Sequence, residues 1–456
     1  MTRLFRSFVS LFAWTALLGF IAQPVAAQAV LRDAETEALL QDMMDPLTQA
    51  AGLPKGAVQV VLLQDNSINA FVANGQKIYI LSGLINTAAS ANEVQGVLAH
   101  ELGHIIGGHA ISVYQGAGKA GKIQLLSLLV GVAAALAGAP ADAAMGAIAL
   151  GQQAALGSFL QFSRTQESSA DAASVSFLSK AGITGRGSIA FFEKLQNFEF
   201  RYGVSQSEEA GFASTHPLVG DRISRLEADF KNDAAWDTPP DPQLQARFER
   251  VKAKLYGYVA EPAQTLNAYP AYLTSVPARY ARAYAYHKQS KMTEALAEVD
   301  ALLATAPNDP YFLEMKGQVL LESGRPTDAL APLRTATELS GNAPLIASTF
   351  GLALLATEDS GNLDEAEQVL KTAVGRDREN PMAWYQLGLV YGERGDIPRA
   401  QLASAEQQIM SDQPREALQN AEAAERSLPT GTPDWIRAQD VALQARAELE
   451  RSRDRN

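Results

Sequence analysis

"GVLAHELGHIIGGHA", residues 96–110, gathers three of the chain's five histidines into ten positions. Ser90 and Glu93 stand ahead of it as Ser-x-x-Glu, the reciprocal pattern that starts a helix. Val94, Leu98, Leu102 and Ile105 then recur at helical spacing, so the helix carries an apolar stripe through the motif. At ~100° per residue, His100 and His104 fall about 40° apart on a different face, one turn (~6 Å) from each other. Two imidazoles so placed can reach one metal ion. Glu101, beside them, falls short of that ion but reaches water held by it, which is why His-Glu-x-x-His serves zinc hydrolysis.

A working site needs a third ligand. His109 is the near candidate, because the pattern His-Glu-x-x-His-x-x-Gly-x-x-His finds its glycine at Gly107. Its last histidine should stand at position 110, which is Ala110. A shift of one residue turns a helical side chain by ~100°, so His109 reads instead as a polar residue at the helix end. The other candidate lies in "SRTQESSADAAS", 163–174, where Glu167 and Asp171 share a helical face at i, i+4. One carboxylate could bind the metal while the second orients a liganding histidine. A solvated acidic face would look the same.

Just ahead of the motif, "INAFVANGQKIYILSGL", 68–84, places two β-rich runs around Asn74-Gly75, a strong hairpin signal. "VQVVLLQD", 58–65, reads as a buried strand. A small sheet therefore leads into the motif helix, with Ala70–Ala73 as the edge on which an extended peptide would lie.

The far half of the chain repeats itself. Pro310, Pro344 and Pro381 are each followed seven residues later by Gly317, Gly351 and Gly388, and then by Ala329, Ala366 and Ala400. The glycines are 34 and 37 residues apart, the longer interval explained by extra residues around "TEDSG", 357–361. A period of 34 with this punctuation is that of tetratricopeptide (TPR) helix pairs. A weaker copy with Tyr284 and Ala295 precedes these, and a degenerate helical end follows.

At the other end, Arg3 and Arg6, the uncharged run Phe8–Ala22, Pro24 and Val25-Ala26-Ala27 have the layout of a secretory leader cleaved after Ala27. The chain has no cysteine, which excludes a disulfide framework and a lipid-bearing cysteine. With 38 Lys+Arg against 50 Asp+Glu and no basic block, a nucleic-acid partner is excluded. An exported chain of this kind is expected in a bacterial periplasm. A second apolar run, "IQLLSLLVGVAAALA", 123–137, continues to Leu150 past Pro140 and Asp142. It is too short and interrupted for a span of ~20 residues and reads as a buried or lid-forming helical pair, with peripheral membrane contact as the other possibility.

Four stretches taken in order, "NAFVANG" (69–75), "LAHELGHIIGGH" (98–109), "RTQESSAD" (164–171) and "STHPLVGDRI" (214–223), are similar to the HtpX and CAAX-prenyl-protease family of gluzincins. The leader and repeats resemble its periplasmic, TPR-bearing branch. That resemblance implies one Zn2+ per chain on His100, His104 and Glu167, Glu101 as general base, and Asp171 behind the ligands. It also implies that His216 takes the fourth zinc position and holds the enzyme latent, or else polarises the substrate carbonyl. Arg222 would steady the oxyanion or pair with Glu167 or Asp171. Implied partners are unfolded or misassembled outer-membrane proteins and, through the repeats, the β-barrel assembly machinery.

The expected fold is therefore an α+β zincin-type metalloprotease domain, mostly helical with a small sheet, followed by an all-α TPR solenoid. Expected boundaries are a signal peptide over 1–27, the protease over 28–256, a seam over 257–276 and repeats over 277–456. The competing expectation is a TPR scaffold or chaperone with a latched or vestigial protease site.

Overall fold

The computed structural model describes residues 29–73, 75–109, 163–202, 216 and 220–453. A four-stranded sheet in the order β1-β2-β4-β3 comes from Ala29–Leu31 (β1), Gln59–Gln64 (β2), Ala70–Ala73 (β3) and Lys77–Leu81 (β4). β3 and β4 form the antiparallel hairpin that Asn74-Gly75 predicts, with Phe71 opposite Tyr79 and their rings stacked 5.3 Å apart. β2 lies parallel to β4, and β1 closes the other edge antiparallel to β2. β3 is the expected edge: among the described residues, β4 flanks it and no strand lies on its other side.

Alternation buries Ile78 and Ile80 of β4 on one face of the sheet. Against the sheet pack α1 (Ala34–Ala50), started by Asp33 accepting from the Thr36 N–H, then α2 (Ser82–Thr87) and α3 (Ala91–Ile106). Helices α4 (residues 163–180), α5 (Arg186–Tyr202) and α6 (Gly220–Lys231) complete this unit. One apolar core runs through Leu39, Met43, Ile80, Leu98, Phe191 and Phe230.

α7 (Pro242–Val259) is shared. Its Phe248, Val251 and Leu255 join that core, while another face packs on α9 (Val276–Lys288). The expected seam holds the end of α7, the seven-residue α8 (Pro262–Ala268) and the approach to α9. Buried Arg282 pins it, donating to the carbonyls of Tyr269, Pro270 and Leu273 at 3.3, 3.1 and 2.8 Å while its other nitrogens pair with Glu298.

Beyond α9 come α10 (Met292–Thr305), α11 (Pro310–Glu322), α12 (Pro326–Leu339), α13 (Pro344–Ala356), α14 (Leu363–Arg376), α15 (Pro381–Glu393), α16 (Ile397–Met410), α17 (Pro414–Ser427) and α18 (Pro433–Arg453). They pack as successive helix hairpins. Pro310, Pro344 and Pro381 each stand at the first helical position, where a missing N–H costs nothing. A Cβ on Gly317 or Gly351 would run into Leu333 or Leu370 of the facing helix, and one on Gly388 would abut Ala403. These are the close approaches the repeat pattern requires. The extra residues at 357–361 lead into a 3-10 turn, Ser360–Asn362.

The repeats fold back on the first unit. Lys254 of α7 sits 2.5 Å from Asp33 and 3.2 Å from Glu35; Arg250 pairs with Glu35 and, at 2.6 Å, with Asp309; the Tyr280 hydroxyl donates to Glu35 at 2.9 Å. Farther along, α13 touches α1, and Arg32 and Lys77 meet Asp377 and Glu379, each at 2.8 Å.

Candidate metal centre

α3 is buried from Ala91 to His104, so its polar side chains all need partners from the protein or from a ligand. Its start follows the sequence: the Ser90 hydroxyl accepts from the Glu93 N–H at 3.2 Å. The Glu93 carboxylate reaches back one residue farther than expected, to the Ala89 N–H at 2.8 Å. α4 crosses so closely that a Cβ on Gly103 would lie 2.8 Å from the Ala170 backbone. Ala170 stands between Glu167 and Asp171, so this contact places both carboxylates over the histidines.

Four side chains converge. One donor atom from each of His100, His104, Glu167 and His216 lies within 4.8 Å of all the others, and all four residues are buried. His104 Nε2 is 3.1 Å from His100 Nε2 and 3.4 Å from Glu167 Oε1; His216 Nδ1 is 3.0 Å from Glu167 Oε1 and 3.4 Å from His100 Nε2. The opposite ring nitrogens are held from behind. His100 Nδ1 lies 3.1 Å from Asp171 Oδ1, and His104 Nδ1 lies 2.9 Å from His109 Nδ1. Arg222 forks onto Asp171 through Nε at 2.8 Å and Nη2 at 2.9 Å, and reaches Glu167 through Nη1 at 3.0 Å. The structure thus sets the Arg222 guanidinium against both carboxylates. Phe192 of α5 walls the site, its ring edge-on to His100.

Burial pushes the His100 imidazole down, but the Asp171 and Glu167 carboxylates outweigh it and lift it to about 9. His104 moves the other way: burial and the charges on His100 and His216 hold it at about 2, keeping the ring neutral with one nitrogen lone pair open. Burial favours the neutral acid at Glu167, yet His100 and His216 win, and the group stays ionised well below the usual carboxylate range. Asp171 is likewise lowered: burial opposes, His100 and Arg222 prevail. Glu101 differs. Burial raises it, with His216 and His100 pulling back, and its Oε1 accepts no hydrogen bond from a described residue, the nearest ring nitrogen being His216 Nε2 at 3.5 Å.

This donor set fits a metal ion. Imidazoles and one carboxylate, turned inward with their outer atoms braced, are a divalent-ion arrangement, and the proton His100 holds is one a cation would displace. His109, by contrast, is outside the converging set. Its part as a brace on His104 escaped the sequence reading. The signal was Gly107-Gly108: Gly108 has φ +62°, and a Cβ on Gly107 would strike the His109 ring, so only glycines let that ring fold back over the helix end.

Residues 34–229 match the family described as Peptidase family M48. This segment is a peptidase family M48 domain. Residues 252–310, 280–344 and 351–414 match the tetratricopeptide repeat. The chain is 23% identical to the beta-barrel assembly-enhancing protease of Escherichia coli (strain K12) over 347 residues, 74% of this chain and 68% of that one. It is 32% identical to the metalloprotease LoiP of the same organism over 162 residues, 35% and 57% of the two. Among solved structures, the TPR protein YrrB aligns with a TM-score of 0.32 at 23% identity, over 40% of this chain and 94% of that one. The M48 domain makes the protein a metalloendopeptidase with TPR repeats attached. The expected leader, 1–27, and the apolar run 123–150 lie outside the described residues, and among those described no helix is long and apolar enough to cross a membrane.

Proposed function

We propose that the protein is a periplasmic zinc endopeptidase acting on unfolded or misassembled outer-membrane β-barrel proteins, its repeats docking clients or their assembly machinery. The expected divisions, 1–27, 28–256, 257–276 and 277–456, serve as leader, protease, seam and repeats. The observation that carries this reading is the convergence of His100, His104 and Glu167 beside a buried Glu101 oxygen with no hydrogen-bond partner among the described residues. Likeness to a protein named for β-barrel assembly supports the client class.

His100, His104 and Glu167 would hold one zinc ion, which when bound would polarise a peptide carbonyl and acidify water. The chain's own groups do the rest. β3 offers its open edge to an extended peptide, fixing the scissile bond by backbone pairing. Glu101, kept basic enough to accept and acidic enough to return, takes a proton from the attacking water and passes it to the leaving amine. Asp171 and His109 hold the two ring orientations, and Arg222 neutralises Glu167 and Asp171.

A second reading has its own observation: His216 Nδ1 stands inside the donor set, where a fourth ligand would exclude water. In that case His216 latches the enzyme and the repeats act as a scaffold until it is displaced. Both readings are tested on the exported full-length protein with an unfolded outer-membrane barrel protein. At matched zinc content the wild type should cut and Glu101→Gln should not. If neither cuts but His216→Ala does, the latch holds; if all three are inert, the proteolytic reading fails.

A further inference from the structure

α15 carries an exposed apolar stripe. Met382, Tyr385 and Leu389 are 56%, 52% and 43% exposed. At ~100° per residue they lie within about 60° of one another, opposite the buried Trp384, Leu387 and Tyr391. Singly exposed apolar side chains are ordinary; three in one stripe are not. The same register, counted from the first residue of α9, falls on Tyr280 and Tyr284, which are 0% and 8% exposed. There the face is covered by the M48 unit, Tyr280 donating to Glu35 of α1. In α11 the register falls on Glu314, within reach of the charges of Lys254, Asp33 and Glu35. In α13 it falls on Ser348 and Leu352, and that helix still touches α1. At α15 the M48 unit has run out, and the surface it would cover is bare and apolar.

What lies beside this stripe names its occupant. Lys77, at the start of β4, is the cross-strand partner of Ala73, the last residue of β3, and pairs at 2.8 Å with Glu379, three residues before Met382. The end of β3 therefore lies close to the start of the stripe. A chain leaving β3 past Ala73 would reach Met382 in fewer than about ten extended residues.

We propose that Met382, Tyr385 and Leu389 form an exosite for the substrate polypeptide itself, gripping aliphatic and aromatic side chains on the unfolded segment that continues beyond β3. This rests on the proteolytic reading above and adds to it a requirement on the substrate: an apolar, unstructured extension on one side of the scissile bond. Folded proteins and short peptides cannot satisfy it. A backbone-reading edge strand has little side-chain selectivity; the stripe supplies a preference for chains that expose what a folded barrel hides.

The test uses full-length zinc-loaded protein carrying Glu101→Gln and two fluorescein-labelled probes, an unstructured 30-residue peptide with aliphatic and aromatic residues beyond the cleavage segment, and its six-residue core. Met382→Ser/Tyr385→Ser/Leu389→Ser should weaken binding of the long probe about tenfold and leave the short one unchanged, with Tyr385→Ser alone giving part of the effect. Leu443→Ser, a more exposed apolar site on α18, should do nothing. In the Glu101 parent the same triple variant should raise KM for the long peptide and leave its kcat alone. Unchanged binding of the long probe, an equal loss with Leu443→Ser, or a change in sedimentation showing that a second copy covers the stripe would overturn the exosite. If neither the Glu101 parent nor its His216→Ala variant cuts either peptide, the proteolytic reading fails instead, and the binding comparison still decides the stripe.

Discussion

Glu167 and His109 are both polar residues near the same histidines, yet they should fail differently when removed. Glu167 sits inside the donor set; His109 lies outside it and meets the outer nitrogen of His104. Glu167→Gln should strip the ion from purified protein. His109→Ala should keep full stoichiometry at saturation but bind about 10–100-fold more weakly, as read by competition with a chromophoric chelator. Loss of stoichiometry in His109→Ala would make it a ligand. The sequence exposes His100, Glu101 and His104 because their relation is local, one helical turn. It exposes Glu167 and Asp171 as a pair, and the off-by-one spacing argues against His109 as a ligand, but its bracing role depends on a chain reversal at Gly108 that spacing alone does not describe. Nothing local in the sequence shows that two buried carboxylates lie against Arg222, so its ion pairs with Glu167 and Asp171 become visible only in the fold.

Among elements, the crossing of α3 and α4 is the sharpest constraint. Gly103→Ala would force a methyl into the Ala170 backbone, which cannot give way as a flexible side chain can. The helices should separate, costing about 1–3 kcal/mol and loosening the hold of Glu167. The expected result is a lower melting temperature together with weaker metal binding; parent-like values for both would show that the crossing tolerates a methyl. Elements with local signals were legible: the Asn-Gly hairpin, the Ser-x-x-Glu start of α3, and the proline-glycine rhythm of the repeats. β1 was not. Three residues, Ala29–Leu31, carry no periodicity worth reading, and their pairing with Leu62–Gln64 comes from tertiary contact. The parallel β2–β4 pairing was hidden for the same reason.

For the whole molecule, the joint between the M48 unit and the repeats is a buried charge network, and Glu314 is its titrating member. Burial drives its carboxyl up; Lys254 pulls it back, while Asp33 and Glu35 push it further, to about 8. The folded protein therefore keeps a proton that the unfolded chain gives up near 4.5. Below the lower value both states are protonated, and as pH rises from there towards 8 only the unfolded state gains by releasing it, so stability falls across that window. Glu314→Gln should flatten this decline, and melting temperatures at pH 5.5, 7 and 8.5 should converge on a smaller spread than the parent's. An identical spread would place the titration elsewhere. None of this was readable in the chain, since the groups come from residues 33–35, 254 and 314 and no short-range pattern links them.

The Arg32–Asp377 contact joins residues 345 positions apart. A chain made from its N-terminus exposes every metal-facing side chain by residue 216, long before Asp377 exists. The metal-facing residues are thus synthesised first, and the repeat residues that fasten onto Arg32 and Lys77 come last. The M48 unit is therefore synthesised well before the contact that ties the repeats back to its first strand can close.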